Sequence, residues 1–227
     1  MRLTSVYAHR FSLQERENRF RLWQIVSERV LTAYIHPADT VIDVGAGTGE
    51  FLRAVRAGRK IALDPISPRS LAREGITVFP VSLFHAPAKL RGTADVVMMS
   101  NILEHLHTAE ELMGALKVSK QLMRKGGRLI IIQPTIDMVG TRYWDFVDHR
   151  LPITRAGIRE ALEDSGFTLL TFIPRFLPYT TKSRMPKLPV LLHAYLLLPW
   201  FLRPFAGQCL VVAKVKGRDY RGHSKAR

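Results

Sequence analysis

Three glycines, Gly45, Gly47 and Gly49, alternate with small residues in "TVIDVGAGTGEFL" (residues 40–52), just after an apolar run that carries Asp43. A glycine-rich turn between a strand and a helix lets the backbone approach a ligand closely. The flanking residues decide which ligand. No Lys-Ser or Lys-Thr follows the glycines, which excludes the nucleoside-triphosphate loop. The spacing is G-x-G-x-G, not the G-x-G-x-x-G of dinucleotide binding. Asp43 in front of the turn opposes a pyrophosphate and suits a ligand that carries an ammonium and no phosphate. S-adenosylmethionine, with an ammonium and a sulfonium, is such a ligand. Asp64 ends the next apolar run, "KIALD", where an acid takes both ribose hydroxyls. NAD would want the same acid, so the discrimination rests on the spacing and on Asp43.

The elements that must position these residues follow from periodicity. Trp23, Val26, Val30 and Tyr34 recur at helical spacing and predict a helix over Glu15–Ile35, closed by Pro37. Strands are expected at Val41–Val44, Lys60–Asp64, Gly75–Val81, Ala94–Ser100, Arg128–Pro134, Phe167–Ile173 and Gln208–Val215. Thr108 and Glu111 predict a capping box for a helix that Gly126 and Gly127 end. Thr154 caps another helix, with Ile158, Ala161 and Leu162 facing inward and Gly166 as its stop. Alternating strands and helices predict an α/β fold: a Rossmann-like, seven-stranded, mostly parallel sheet with helices on both faces. The last two strands lack an ordinary crossover helix, so strand seven is expected to be antiparallel. Ligands in such a sheet lie beyond the carboxyl ends of the strands. The glycine turn, Asp64, Asn101 and Pro134 all fall there.

Four stretches, in order, resemble the class I S-adenosylmethionine-dependent methyltransferases: "VIDVGAGTGEF", "ALD", "ADVVMMSNILEHL" and "LMRKGGRLIIIQP". The resemblance covers residues 38–173, with strand seven completing the sheet. It implies S-adenosylmethionine as cofactor. Gly45, Ala46, Gly47, Thr48 and Gly49 would let the backbone meet its methionine moiety, Asp43 would sit by its ammonium and Asp64 by its ribose. Ser100, Asn101 and Ile102 would pass beneath it. Many members carry an acid after strand three for the adenine amino group. Here "VSLFHAPAKLRG" has none before Asp95, which leaves a backbone carbonyl or Ser82 for that contact. The expected organisation is a leader and helix (1–37), a catalytic domain (38–216) and a basic tail (217–227).

Methyl transfer to oxygen is an in-line displacement in which the protein aligns the reactants. A base also takes the hydroxyl proton. Suitable groups follow strands four and five. In "SNILEHL", His105 is a candidate base and Glu104 a candidate acceptor contact. In "RYWDFVDHRLP" (142–152), Tyr143, Trp144 and Asp145 are candidate acceptor contacts, since aromatic faces suit sugar rings. Asp148 is expected to orient His149 as a base. Arg19 and Trp23 of the first helix are further candidate acceptor contacts. No metal is expected. Each feature has a plain counterpart: His105 capping the next element, and a solvated loop with its aromatics tucked against the sheet. Together with "PRFLPYTTKSRMP" and "GQCLVVAKV", these stretches resemble bacterial methyltransferases of surface-glycan or polysaccharide assembly. That narrower resemblance implies O-methylation of a sugar hydroxyl on a lipid-linked or nucleotide-linked glycan.

The bulk composition bounds the rest. The chain has 227 residues, 47% of them hydrophobic, enough for one α/β domain with a sizeable core. A net charge of +15 favours polyanions without choosing among nucleic acid, anionic membrane and phosphorylated substrate. Nucleic acid is disfavoured, because the basic clusters lack interleaved aromatics. The narrower resemblance implies a glycan or other small molecule as the acceptor. Methylation of a lipid or of RNA, and a degenerate cofactor-binding partner protein, remain as alternatives. The single cysteine, Cys209, has no disulfide partner and suits a reducing compartment. No signal-peptide core and no apolar run of ~18 residues is present, so the cytoplasm is expected. An apolar insertion (174–207) carries a run from Leu188 to Leu202, broken by Pro189 and Pro199. It reads as core, as a lid, or as peripheral membrane contact. In the last case Trp200 and Tyr195 sit at headgroup depth, with Arg184, Lys187 and Arg203 near anionic lipid.

Overall fold

The computed structural model describes residues 13–179 and 189–216. Seven strands among them form one sheet: β1 (Thr40–Val44), β2 (Arg59–Leu63), β3 (Ile76–Phe79), β4 (Ala94–Ser100), β5 (Met123–Pro134), β6 (Phe167–Pro178) and β7 (Ala206–Val215). Their order is β3-β2-β1-β4-β5-β7-β6. Strands β1 to β5 pair in parallel, and β7 runs antiparallel between β5 and β6. The Rossmann-like α/β fold with an antiparallel seventh strand is therefore as the sequence predicts. The helices are α1 (Leu13–Arg29), α2 (Glu50–Ala54), α3 (Ala109–Leu122), α4 (Ile136–Val139), α5 (Arg155–Asp164) and α6 (Pro189–Leu197).

Each central strand feeds two cores. Leu129 and Ile131 of β5 join Ile42, Val97, Leu116 and Ile158 on one face. Ile130 and Ile132 join Val41, Met98, Trp23, Val26 and Leu52 on the other. This period-two division explains why the strands read as continuous apolar runs: both faces are covered.

Several boundaries differ from expectation. Helix α1 ends at Arg29, and Leu31–Ala33 tighten into a 3₁₀ turn. Helix α3 stops at Leu122, because Met123 turns extended (φ −75°, ψ 140°) and pairs with Ala94. The residues expected as its last turn thus open β5. Its cap is also not the predicted box. Thr108 Oγ1 accepts from Glu111 N–H, but Glu111 takes the N–H of His107 at 2.7 Å. Strand β6 runs on to Pro178, since Leu177 and Pro178 find partners in Gln208 and Ala206 of β7.

The apolar insertion is divided. Tyr195 and Arg203 are buried, away from the headgroup surface where the membrane-contact reading of the insertion sets them. Arg203 donates to the carbonyls of Leu196 (3.0 Å), Leu198 (3.1 Å) and Phe176 (3.4 Å), so its guanidinium ties α6 to β6. Val190, Leu197, Trp200, Phe201, Leu202 and Phe205 are exposed. Among the described residues no helix is long and apolar enough to cross a membrane. The leader up to residue 12, Arg184, Lys187 and the tail from 217 lie outside the described residues.

Candidate active site

Strand β1 delivers Asp43, 4% exposed, to the glycine turn. At Gly45 (φ +74°) a Cβ would stand 2.8 Å from Ile102 Cδ1. The segment after β4 therefore packs directly on the turn, and only glycine permits both the conformation and the approach. At Gly47 (φ +53°) no described atom lies within 4 Å of the Cβ position, so that side of the turn is open to a ligand. Asp64 holds the turn in place. Its Oδ2 accepts from Gly47 N–H at 2.9 Å and its Oδ1 from Ile66 N–H at 2.7 Å. Ser67 Oγ donates to Gly47 O at 2.8 Å. Each carboxylate oxygen of Asp64 retains a lone pair for a further donor such as a ribose hydroxyl.

The turn is a negative well. Asp43, Glu50 and Asp64 are all buried. Burial first, then Asp64, then Glu50 push the Asp43 carboxyl well above the ordinary carboxylate range, while Arg19 of α1 pulls it down. Such a well is relieved by a cation brought to Asp43. The residues thus fit S-adenosylmethionine: an ammonium partner at Asp43, an open backbone face at Gly47 and an acid at the end of β2.

Beyond β4 the chain turns sharply. Asn101 adopts φ +51°, a left-handed conformation that Asn tolerates better than most residues. A 3₁₀ turn, Leu103–His105, follows. The Glu104 carbonyl accepts from Arg150 N–H (2.8 Å) and Leu151 N–H (3.2 Å), which ties the turn after β4 to the loop after β5. His105 Nδ1 lies 2.9 Å from the Asp148 carbonyl and 3.7 Å from Asp148 Oδ2. A carbonyl only accepts, so Nδ1 carries a proton, and in the neutral ring the lone pair is on Nε2. The His149 ring stacks on Phe146 (5.0 Å, 23°) and meets Tyr143 and His105 edge-on at 4.8 and 5.2 Å. Glu104 is 2% exposed. Its carboxyl is pushed up to about 7 by burial, against the pull of His105.

The chain belongs to the methyltransferase-domain family. Residues 15–171, more than half of its length, match that family. No curated protein matches it. Among solved structures it is similar to the Burkholderia thailandensis 1,6-didemethyltoxoflavin-N1-methyltransferase, solved with S-adenosylhomocysteine and 1,6-didemethyltoxoflavin. Identity is 18%, the match covers 95% of this chain and 86% of that one, and the TM-score is 0.62. It is also similar to a geranyl diphosphate methyltransferase in complex with S-adenosylmethionine (16% identity, 84% of each chain, TM-score 0.59). A third similar structure is the complex between the Haloferax volcanii Trm112 methyltransferase activator and a methyltransferase (17% identity, 87% of this chain, 98% of that one, TM-score 0.60). The family and the donor set at the turn agree on S-adenosylmethionine as cofactor.

Within this methyltransferase fold the expected site residues divide into two groups. Asp43, the glycine turn, Asp64 and Ile102 converge at the carboxyl ends of β1, β2 and β4, and Arg19 lies near enough to act on Asp43. Glu104, His105, Asp148 and His149 converge beyond β4 and β5. Trp23, expected as an acceptor contact, is 7% exposed and packs on Phe51 with ring centroids 5.0 Å apart. Tyr143 is fully buried, donates to Leu151 O at 2.6 Å and lies edge-on to the His149 ring. Asp148 contacts His105 through its carbonyl and its carboxylate. Trp144, 51% exposed, and Asp145 stay on the surface. Ser82 Oγ bonds His85 Nδ1 at 2.8 Å.

Two residues were missed. Glu50 is buried beside Asp43 and takes a hydrogen bond from Thr48. Its signal was an acid at the start of a short apolar helix. Gln133, at the end of β5, is buried with neither amide atom hydrogen-bonded among the described residues. Its signal was a polar residue inside "LIIIQP".

Proposed function

We propose that the protein transfers the methyl group of S-adenosylmethionine to a hydroxyl oxygen, and that the acceptor is a sugar of a lipid-linked or nucleotide-linked glycan. One observation carries the oxygen assignment. Glu104, His105 and His149 gather just after Ile102, the residue that packs on the cofactor turn. When bound, S-adenosylmethionine supplies an electrophilic methyl on a sulfonium sulfur. A hydroxyl is a weak nucleophile unless its proton is taken as it attacks, whereas a neutral amine is nucleophilic enough to attack first and lose its proton to solvent afterwards. A group of imidazoles and a carboxylate answers the first need. In this reading His105 and His149 act on the acceptor hydroxyl, and Asp148 positions His105.

Three features support a glycan acceptor. The exposed Trp144 offers a face for a sugar ring, with Asp145 beside it for hydroxyls. The exposed apolar group around Trp200 and Phe201 suits a lipid-borne acceptor at a membrane surface. The net charge of +15 suits pyrophosphate or anionic headgroups. The test is turnover with S-adenosylmethionine on nucleotide sugars, lipid-linked oligosaccharides and amines, read by release of S-adenosylhomocysteine and by mass-spectrometric location of the methyl. A methyl on a sugar oxygen, with at least ~100-fold less turnover for His105→Ala or His149→Ala, is expected. Turnover on amines alone would sink the reading.

A further inference from the structure

We propose that Glu104, His105 and His149 form a site for one divalent first-row transition cation, such as manganese, cobalt or zinc. With the cation bound, His105 and His149 act on the acceptor hydroxyl as its ligands and not as bases; that use rests on the methyl-transfer reading above, and the binding does not.

The three residues each offer one ligand atom, and these atoms lie within 4.8 Å of one another. Glu104 supplies the charge. It is almost wholly buried, and its Oε2 has no hydrogen-bond partner among the described residues. A buried carboxylate oxygen left so carries a large desolvation penalty that a cation removes. His105 is set up as a ligand by its tautomer. Its Nδ1–H donates to the Asp148 carbonyl, which leaves Nε2 as the metal-binding lone pair. An imidazole fixed from behind by a carbonyl or carboxylate is the usual outer arrangement of a metal-binding histidine. The His149 ring is held between Phe146 and Tyr143. The backbone bonds from Arg150 and Leu151 to Glu104 fix the two loops to each other, so the ligands are arranged in advance.

The donor set narrows the ion. Magnesium and calcium take oxygen ligands, whereas two imidazoles with one carboxylate suit the first-row transition divalent ions. Three protein ligands leave coordination positions open, as a cation that acts on a substrate requires. The His105 side chain is 19% exposed, so the group is not sealed. A cation there lowers the pH at which a coordinated hydroxyl gives its proton to solvent.

The test uses the tag-free full chain, stripped with EDTA. It is titrated with MnCl₂, CoCl₂ and MgCl₂ by calorimetry, and cobalt is also followed by its visible absorption. The expected result is one manganese or cobalt ion per chain, bound at least tenfold more tightly than magnesium. Glu104→Gln and His149→Ala should each weaken it at least tenfold while leaving S-adenosylhomocysteine binding at the wild-type level. Absence of binding to the wild type below millimolar concentrations, or binding unchanged in both variants, would overturn the site. Failure of the wild type to bind S-adenosylhomocysteine would instead overturn the methyl-transfer reading and leave the metal result standing.

Discussion

Asp43→Asn separates the two demands on the cofactor turn, because its effects on binding and on stability should have opposite signs. The carboxylate is buried beside Asp64 and Glu50, and burial and these like charges raise its pKa against Arg19. Without a cation from a ligand, its charge works against the fold. The folded-state value lies above the unfolded one of about 3.9. Its contribution to stability is therefore full below the unfolded value and is lost as pH rises through the raised folded value. The amide has no such loss. At neutral pH the variant should be more stable by about 1 kcal/mol, a rise in Tm of about 2–4 °C for a chain of this size. The gain should vanish near pH 4. Binding should move the other way. A hydrogen bond to a charged group contributes about 1.5–3 kcal/mol, so affinity for S-adenosylhomocysteine should fall about 10- to 150-fold. Adenosine, which lacks the amino-acid end, should bind both proteins alike. Differential scanning fluorimetry across pH and calorimetric titration read the two effects. A lower Tm at neutral pH, or an unchanged affinity for S-adenosylhomocysteine, would refute the ammonium role of Asp43.

Gly45→Ala should lower Tm and weaken S-adenosylhomocysteine binding, since the new Cβ stands 2.8 Å from Ile102 Cδ1 at φ +74°. The conformational part, about 1–2 kcal/mol, should persist when Ile102→Ala relieves the contact; full recovery in that double variant would show that strain of the turn is not the cause. Cys209 is buried in β7, where burial pushes its thiol up to about 12. It should stay inert to a thiol-specific reagent in the native protein and react at the rate of unfolding; rapid native-state labelling would contradict its placement.

The glycine turn and the acids around it were legible because their placement is local. Asp43, the glycines and Asp64 are fixed by where two adjacent parallel strands end, and strand ends are readable from apolar runs. Glu50 escaped because its role depends on burial against Asp43, which no periodicity reports. The loop after β5 was legible in composition and not in side-chain direction. "RYWDFVDHRLP" sets aromatics, acids and a histidine in one loop, but the 3₁₀ turn at Gly140–Asp145 turns Tyr143 inward and leaves Trp144 outside. The tie from Glu104 to Arg150 and Leu151 then sets Asp148 against His105. A loop's side-chain directions follow from such long-range bonds and not from its own sequence. Trp23 and Arg203 show the same limit in reverse. Both have a surface-binding composition, and both are taken by the interior, one by Phe51 and one by three carbonyls.

The local and overall charges of this protein oppose each other, and the opposition suits a two-substrate reaction. The net charge is +15, yet the cofactor turn gathers three buried acids. Exposed charges are screened over about 8 Å at physiological salt. The many surface lysines and arginines therefore draw anionic partners diffusely, while the desolvated acids at Asp43 act on whatever enters the turn. A cationic cofactor and an anionic acceptor then need not compete for the same field. Raising salt should weaken association of an anionic acceptor or vesicle far more than it weakens S-adenosylhomocysteine binding, because only the first depends on the screened charges.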